Sequence, residues 1–356
     1  MRIVVTGLGV VCAAGLDEQE LADAVRAGRS GIRRVGRFDV SMFTGPWAGE
    51  VDLELLRARA DPEHRDRDPC TLMALDAAAQ AWGQAAVTAA PDRVALVLGT
   101  SAGNHNSEDL SEAVERSDPA GAYRRKEAAR HWTTADVLAR HLGIQGVRLT
   151  VSSACASGNL ALGLARELLL TGAADVVLAG GADAISPRRF AGFDALGVVG
   201  PEPGAPFSHP TGMNVGEGAA FLVLERGPRP GRAVLAGSGG SCDAHHATAP
   251  EPGGDGIRRA MRGALEDAGI SAGDVDLLSA HATGTEANDA AEWRAVEAVF
   301  GPRAATLPWI AAKGWLGHSF GASGALESVL LIKALEEGRV AAPARWSGPR
   351  ALGPAA

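Results

Sequence analysis

The sequence predicts an α/β protein built from two similar halves, each a sheet covered by helices. Three observations support this prediction. Short apolar runs alternate with segments of helical periodicity along most of the 356 residues. Glycine is abundant, at 46 residues, whereas aromatic residues make up 4% of the chain, a composition that suits close packing of helices on sheets. The length is sufficient for one large domain or two ordinary ones.

The predicted elements of the first half begin at the N-terminus. The apolar run from Ile3 to Val5 predicts a buried strand, and Gly7 and Gly9 predict that a turn follows it. The segment 61–68 is charged and contains a proline, which indicates a surface loop. Apolar runs and a helical pattern then follow each other. They predict strands at 93–98, 147–151, 175–179 and 219–224, and a helix at 160–170 that ends before Gly172.

The second half repeats this alternation. The segment Gly227 to Arg232, Gly-Pro-Arg-Pro-Gly-Arg, follows an apolar strand and predicts the boundary between the halves. After it the sequence predicts strands at 233–236, 275–280 and 310–312, and helices at 256–268, 286–300 and 322–335. We therefore expect an N-terminal half over residues 1–228, a C-terminal half over 229–343, and a flexible tail rich in Pro, Gly and Ala over 344–356.

The composition excludes several classes of protein. The formal net charge is −8 and the sequence has no dense run of Lys and Arg, which argues against a nucleic-acid-binding protein. No apolar stretch reaches the roughly 18 to 20 residues that a membrane span needs. The cysteines Cys12, Cys70, Cys155 and Cys242 form no CxxC pair. Neither a zinc site nor a disulfide framework is therefore indicated, and we expect a reducing compartment.

The first residues share some features with a secretory signal. Met1 and Arg2 precede an apolar run that ends at Cys-Ala-Ala-Gly, residues 12–15. Two glycines interrupt this run, and a Val-rich opening is more typical of a buried strand. We therefore interpret the segment as part of the fold and expect a cytoplasmic protein.

Cys155 lies in a turn of small residues between a predicted strand and a predicted helix, within Val-Ser-Ser-Ala-Cys-Ala-Ser-Gly-Asn at 151–159. A thiol at a helix N-terminus is accessible and is surrounded by backbone N–H groups. These groups lower the pKa of a thiol and can stabilise an oxyanion. A small buried cysteine that fills a contact between helix and sheet is the alternative interpretation.

Two histidines lie in similar turns. His281 and His318 each follow a predicted strand within a stretch rich in Gly, Ser and Thr, and strand ends are where α/β proteins build their sites. Lys313 belongs to the same turn as His318 and is one of only three lysines, with Lys126 and Lys333. Each of these residues alone could be structural. One cysteine and two histidines in three such turns are better explained by a shared active site.

These turns, with several further motifs, resemble the β-ketoacyl-acyl carrier protein synthases, the condensing enzymes of fatty-acid and polyketide synthesis. The resemblance runs from Val4 to about Pro343 and implies a thiolase-like fold of helix, sheet, helix, sheet and helix layers, and a dimer. The matching segments are Val-Val-Thr-Gly-Leu-Gly-Val-Val at 4–11, Ser-Ala-Cys-Ala-Ser-Gly at 153–158, Ala-Gly-Gly-Ala-Asp-Ala at 179–184, Gly-Met-Asn-Val-Gly-Glu-Gly-Ala at 212–219, the two histidine turns and Gly-Ala-Leu-Glu at 324–327.

The resemblance implies a role for each site residue. Cys155 would take an acyl chain as a thioester from the phosphopantetheine arm of an acyl carrier protein. His281 and His318 would donate N–H groups to the malonyl thioester carbonyl, favouring loss of CO₂ and stabilising the enolate that condenses with the acyl group. Lys313 and Glu327 would support the second histidine turn.

The threonines of the first histidine turn, Thr283 and Thr285, would support it in the same way. The resemblance implies no cofactor beyond the arm carried by the partner, and no metal. A metal held by the Cys and the two His is conceivable, but nothing in their spacing favours it.

Three features depart from the family pattern. Ser208 stands where an Asp usually follows the Phe, and Ala282 stands where a Gly is usual after the first histidine. The C-terminal Gly-Phe-Gly-Gly loop and its strands are absent from the sequence, so we expect a shortened second half. That loop supplies an oxyanion donor in the family, and losing one such donor typically costs about a hundredfold to a thousandfold in rate.

From these observations we predict an enzyme that condenses acyl groups in specialised polyketide or fatty-acid-like synthesis. The alternatives are a decarboxylase or acyltransferase that does not condense, and a structural, chain-length-determining subunit of a ketosynthase heterodimer. The expected partners are an acyl carrier protein and either a second copy or a related ketosynthase-like chain. Carrier proteins of this kind are acidic, so Arg65, Arg67 and the run Arg124-Arg125-Lys126 are candidate docking residues.

Overall fold

The computed structural model describes residues 2–101, 103, 130–208 and 212–339. The docking candidates at 124–126 and the predicted tail at 344–356 lie outside these residues. The strands within the described residues are β1 Ile3–Cys12, β2 Ile32–Arg34, β3 Trp47–Gly49, β4 Val94–Gly99, β5 Arg148–Val151, β6 Val176–Asp183, β7 Val215–Gly216, β8 Gly218–Arg226, β9 Ala233–Val234, β10 Leu278–Ser279 and β11 Trp309–Ile310.

Helices occupy most of the chain between the strands. Several begin at a residue whose side chain accepts hydrogen bonds from the first free backbone N–H groups, as Asp17 and Asp52 do. The helices within the described residues are α1 Glu18–Arg26, α2 Leu53–Arg59, α3 Pro69–Ala85, α4 Thr133–Leu142, α5 Ser157–Leu170, α6 Pro187–Ala195, α7 Asp255–Ala268, α8 Glu286–Phe300, α9 Lys313–Leu316 and α10 Ser323–Glu337.

The largest sheet has six strands in the order β5-β4-β6-β8-β1-β9. Strand β4 runs parallel to β5 and β6, whereas β8 pairs antiparallel with both β6 and β1. Every residue of β4 and β6 is buried, because helices cover both faces of the sheet. A second, small sheet pairs β10 and β11 in parallel.

Helices and sheets form five layers. Helices α3 and α4 pack with β4, β6 and β8 in one apolar core on the first face of the large sheet. On the other face, α5 and α10 pack against the same sheet, and this core also includes residues of β11. A further cluster joins α8 to α7 and the small sheet. The resulting helix, sheet, helix, sheet and helix order is the layered α/β architecture that the family resemblance implies.

Most predicted elements are present, with three corrections. The predicted strand at 310–312 overlaps β11 only at Ile310, and Lys313 begins helix α9 instead of lying in one turn with His318. Strand β1 does not give way to a turn at Gly7 and Gly9 but runs through both, with a bulge between Val5 and Gly7. A Cβ at either glycine would lie about 2 Å from a backbone oxygen of α3, so the glycines allow close packing of that helix instead of ending the strand. The predicted strand at 275–280 is confined to Leu278 and Ser279.

Among the described residues, no helix combines the length and the apolar character needed to cross a lipid bilayer.

Candidate active site

Three turns bring Cys155, His281 and His318 together. Cys155 lies between β5 and α5, His281 follows β10, and His318 follows α9. The Cys155 Sγ and one ring nitrogen of each histidine lie within 4.8 Å of one another. The two imidazole rings are 5.4 Å apart between centroids and almost perpendicular, at 88°. Cys155 and the two histidines, which lie more than 120 positions further along the sequence, therefore share one site, as the sequence predicts.

Each of the three turns contains a residue other than glycine in the left-handed region of backbone conformation. Ala154 has a φ of 45°, Ala282 a φ of 47° and Phe320 a φ of 50°. Side chains with a Cβ adopt this region at an energetic cost, and such residues concentrate at functional sites, where the surrounding packing holds them. The strain at Ala282 explains why glycine would suit that position.

Glycines let the two halves approach each other beside Cys155. A Cβ at Gly158, in the first turn of α5, would lie 2.8 Å from the backbone oxygen of Gly321. A Cβ at Gly181, in β6, would lie 2.7 Å from the same oxygen. These contacts are too short for any other residue. The Cys155 helix and the segment after His318 therefore pack backbone against backbone.

The hydrogen bonds of His318 fix which ring nitrogen carries the proton. The backbone N–H of Phe320 donates to His318 Nδ1 at 3.0 Å, and Ser323 Oγ lies 3.2 Å from the same nitrogen. A backbone N–H can only donate, so Nδ1 is the acceptor. The proton of the neutral ring is then on Nε2, and His318 presents an N–H donor at that atom.

Lys313 fixes His281 in a similar way. Its ammonium lies 3.3 Å from His281 Nδ1, donates to the backbone oxygen of His281 at 2.6 Å, and pairs with Glu327 Oε1. These three partners use all three ammonium hydrogens, and an ammonium cannot accept. Nδ1 of His281 is therefore an acceptor, and its neutral ring also presents Nε2–H as a donor.

Both histidines are neutral at pH 7. Burial and the neighbouring Lys313 charge hold the pKa of His281 and of His318 well below the ordinary value. Burial also raises the pKa of Glu327, against the opposing effect of the Lys313 charge. The site thus contains the Lys313 ammonium, the Glu327 carboxyl group paired with it, and two uncharged imidazole rings.

The thiol differs from the sequence-based expectation. Burial raises the pKa of Cys155 above its ordinary value, and the Lys313 charge offsets only part of this effect. Carboxylates of Asp183 and Glu327 raise the pKa further. The expectation of a lowered thiol pKa at the helix N-terminus is therefore wrong for the resting site. In the resting site Cys155 is therefore a protonated thiol.

Two buried acids of α8 support the His281 turn and were not identified from the sequence. Glu292 accepts hydrogen bonds from the backbone N–H groups of His281 and Ala282, the second at 2.8 Å. Asp289 accepts the backbone N–H of Gly284 at 3.1 Å and that of Phe207 at 2.8 Å. Their spacing of three residues places both on one helix face, but the exposed Glu286 shares that spacing, so the sequence alone does not distinguish the buried acids.

Asp183 connects the strand ends beside Cys155 to the His318 turn. Its carboxylate accepts hydrogen bonds from Thr100 Oγ1 at 2.9 Å and from the backbone N–H groups of Ser101 and Gly321, at 2.8 and 2.7 Å. Arg189 completes this buried cluster at 2.8 Å. Asp183 belongs to the Ala-Gly-Gly-Ala-Asp-Ala motif at 179–184, and nothing in that motif alone indicates this role.

The two threonines of the His281 turn bond to each other. The hydroxyl groups of Thr283 and Thr285 lie 2.9 Å apart, and the backbone N–H of Thr285 also donates to Thr283 Oγ1 at 3.4 Å. Their supporting role, like the roles of the other predicted site residues, stays a prediction.

The chain belongs to the β-ketoacyl synthase family. The family model described as "Beta-ketoacyl synthase, N-terminal domain" matches residues 1–229, and that described as "Beta-ketoacyl synthase, C-terminal domain" matches residues 232–345. Together they span almost the whole chain. The protein is therefore an enzyme, an acyltransferase of the 3-oxoacyl-acyl carrier protein synthase type.

Curated relatives carry related names. "Putative polyketide beta-ketoacyl synthase 1" of Streptomyces halstedii is 35% identical, over 98% of this chain and 89% of the relative. "Nodulation protein E" of Rhizobium sp. (strain N33) is 34% identical with the same coverage. "3-oxoacyl-[acyl-carrier-protein] synthase 2" of Coxiella burnetii is 32% identical, over 94% of this chain and 86% of the relative.

Solved structures confirm the thiolase-like ketosynthase fold. The "ishigamide ketosynthase/chain length factor" structure superposes with a TM-score of 0.87 at 33% identity, over 99% of this chain and 90% of that one. A type II polyketide ketosynthase solved in complex with its acyl-carrier protein superposes at 0.88 with 27% identity, over 99% of this chain and 90% of that one. Enzymes of this family use no cofactor of their own, since the phosphopantetheine arm is carried by the acyl carrier protein.

Proposed function

We propose that Cys155 accepts the acyl chain and that His281 and His318 act on the malonyl unit in a decarboxylative condensation. The observation that carries this proposal is the pair of neutral rings beside the thiol, each with Nδ1 engaged as an acceptor. Two Nε2–H donors are what an enolate oxygen requires, and neutral donors do not protonate the carbanion carbon.

The first step is an exchange of thioesters. The Cys155 sulfur attacks the acyl carbonyl on the carrier protein's phosphopantetheine, the bond to the pantetheine sulfur breaks, and that sulfur leaves as a thiol with the proton that Cys155 loses. Because burial raises the pKa of Cys155, the proton leaves during this exchange and not before it. The N-terminus of α5 supports the developing thiolate.

The second step forms the carbon–carbon bond. Malonyl thioester loses CO₂, and the electron pair of the broken bond forms an enolate whose oxygen accepts the Nε2–H groups of His281 and His318. The enolate carbon attacks the acyl-Cys155 carbonyl, the bond to sulfur breaks, and a β-ketoacyl chain remains on the carrier protein. The Cys155 sulfur leaves as a thiolate and takes up a proton from water, which restores the resting thiol. Lys313 and Glu327 act as positioning residues, because Lys313 holds the acceptor side of the His281 ring.

The partner and the pathway rest on the relatives. Neighbouring structures contain an acyl-carrier protein or a chain length factor, and a curated relative is named a polyketide β-ketoacyl synthase. We infer an acyl carrier protein as donor, a dimer with a second copy or a related chain, and a place in specialised polyketide or fatty-acid-like synthesis. Free thiols at Cys12, Cys70, Cys155 and Cys242 support a reducing, cytoplasmic location.

Intact mass spectrometry of acyl and malonyl transfer tests the assignment of roles. Incubation with acyl carrier protein should add one acyl mass to the wild type and none to Cys155→Ala, because the other thiols lie outside the site. His281→Ala and His318→Ala should still be acylated, yet lose at least about a hundredfold in decarboxylation of malonyl carrier protein, as expected for removal of one oxyanion donor.

Three outcomes would contradict the proposal or redirect it. If Cys155→Ala is acylated as fully as the wild type, Cys155 is not the nucleophile. Wild-type decarboxylation by either histidine variant would remove that histidine. Release of CO₂ by the wild type without a β-ketoacyl product would identify a decarboxylase that does not condense.

A further inference from the structure

A second cluster of metal-ligating side chains lies away from the active site, on the surface loop that the sequence predicts at 61–68. Glu63 and His64 belong to this loop, and His141 lies in the last turn of α4. One ligand atom of each lies within 4.8 Å of the other two. None of the three takes part in the chemistry derived above.

The distances match those between ligands of one small cation. Nε2 of His64 lies 3.1 Å from Nδ1 of His141 and 3.2 Å from a carboxylate oxygen of Glu63. Two atoms bound to Zn²⁺ at about 2.0–2.1 Å with a tetrahedral angle lie about 3.3 Å apart. The rings are inclined at 73° with centroids 4.9 Å apart, so they do not stack on each other.

Hydrogen bonding alone leaves this cluster poorly satisfied. His64 is 9% exposed, and its Nδ1 is buried with no hydrogen-bond partner among the described residues. If His64 Nε2 carries the ring proton, one N–H must serve both His141 and Glu63, and Nδ1 is a bare buried acceptor. If Nδ1 carries it, a buried donor has no acceptor and the Glu63 carboxylate faces a lone pair. A cation at the centre would bind all three ligand atoms at once.

We propose that Glu63, His64 and His141 form a surface site for a divalent transition metal, with Zn²⁺ as the reference ion. Imidazole nitrogens and a carboxylate oxygen suit this ion, and the exposed Glu63 leaves a fourth position for water. The C-terminal end of α4 adds a favourable partial negative charge. The ion would join loop 61–68 to α4, and this inference does not depend on the proposed function.

Zinc titration calorimetry on the full-length, chelator-treated protein tests the site. The titration is run in a Cys155→Ala background, because Cys155, His281 and His318 also have spacing that a metal could bridge. We expect one equivalent of Zn²⁺ to bind, and His141→Ala and His64→Ala each to weaken binding more than about tenfold. His245→Ala, a change to an exposed histidine of another loop, is the matched control and should bind as the parent does.

A second measurement locates the ion and keeps the test decisive if His64→Ala fails to fold. Hydrogen–deuterium exchange should show slower exchange of the amides at 61–68 and at the end of α4 when Zn²⁺ is added, and no such change in His141→Ala, whose replaced side chain is exposed. Unchanged zinc affinity in His141→Ala, protection confined to other segments, or no binding by the parent would each overturn the proposal.

Discussion

Glu292 links the pH of the medium to the position of His281. Its carboxylate holds the backbone N–H groups of His281 and Ala282, and burial raises its pKa to about 7. As the pH falls through about 7 the carboxylate gains a proton and loses acceptor strength, so the turn is held less firmly. We expect malonyl decarboxylation to slow as the pH falls below 7 and to reach a plateau above it.

Glu292→Gln imitates the protonated acid. Losing a hydrogen bond to a charged acceptor costs about 1.5–3 kcal/mol, so this variant should be roughly tenfold to a hundredfold slower at pH 8. It should also lack the change of rate near pH 7, whereas Glu297→Gln, at an exposed position on the same helix, should keep the wild-type profile. Decarboxylation rates between pH 5.5 and 8.5 provide the measurement. If Glu292→Gln still shows the change of decarboxylation rate near pH 7, that change belongs to the titration of another group.

The sequence identifies the site residues that lie in the turns, but not the buried acids that hold the backbone of those turns. Cys155, His281 and His318 stand out because they interrupt stretches of small residues in turns that follow predicted strands. Glu292 and Asp289 belong to a helix with other acids, and a buried acid has the same sequence signature as a solvated one. The direction of the Cys155 pKa shift could not be predicted either, because burial, which only the packed structure shows, outweighs the effect of the Lys313 charge.

At the scale of elements, the packing of α5 against the segment after His318 sets the distance between Cys155 and His318. Gly158→Ala would place a Cβ 2.8 Å from the Gly321 oxygen, and neither backbone can move freely because each lies within a buried core. We expect a loss of about 1–3 kcal/mol in the free energy of unfolding, as for other overpacked sites. Acyl transfer should slow as well, because the two turns are forced apart.

Gly163→Ala is the control for this prediction. It lies in the same helix, and its added Cβ would meet Ser238 at an ordinary contact distance of 3.4 Å. We expect this variant to be as stable as the wild type, or more stable by roughly 0.5–1 kcal/mol, because alanine favours a helix. Urea unfolding of both variants, with acylation rates measured below the transition, provides the comparison. Equal stability of Gly158→Ala and Gly163→Ala would refute the close-packing argument.

The sequence predicts the elements that have a regular apolar pattern. It fails for strand β1, where the glycines are explained by helix packing and not by a turn. The predicted helix at 286–300 coincides with α8, and those at 256–268 and 322–335 differ from α7 and α10 by one or two residues. Periodicity is strong in such helices. In β1, two glycines resemble a turn signal, and the need for α3 to approach the strand is visible only in three dimensions.

At the scale of the whole molecule, the chain has a net charge of −8, and we expect a local basic surface to dock the carrier protein. Arg65 and Arg67 lie exposed on loop 61–68, and Arg65 Nε donates to the backbone oxygen of Arg57. Reversal of both charges, Arg65→Glu with Arg67→Glu, should weaken acyl loading several-fold at low salt, through slower association, and less at 0.5 M salt. Arg339→Glu, at an exposed site near the end of α10, is the control. Unchanged loading kinetics at low salt would remove this loop from the docking surface.

The large sheet has an edge that favours a dimer. Strand β5 is an outer strand of the sheet, and its Leu149 is 37% exposed. The neighbouring helix α5 exposes Leu160 and Leu164, which lie one turn apart and are 36% and 39% exposed. Open strand edges and adjacent apolar side chains are normally covered by pairing. The turn before Cys155 follows β5 directly, so a partner at this edge would also cover the site.

We expect the purified protein to be a dimer through β5 and α5, or to aggregate alone and become soluble on coexpression with a related chain. In the expected dimer the interface covers Leu164, and burial of a leucine side chain contributes about 1.5–3 kcal/mol. Leu164→Arg replaces this contribution with a buried charge, and the two-fold axis of a dimer repeats the change in both subunits. The dissociation constant should therefore rise by at least a hundredfold, as measured by analytical ultracentrifugation, and acylation should fall with the dimer fraction. Leu335→Arg, at an exposed leucine of α10 that is 61% exposed, should leave both unchanged. If light scattering shows the wild type to be a monomer and this monomer has full condensation activity, no partner is required.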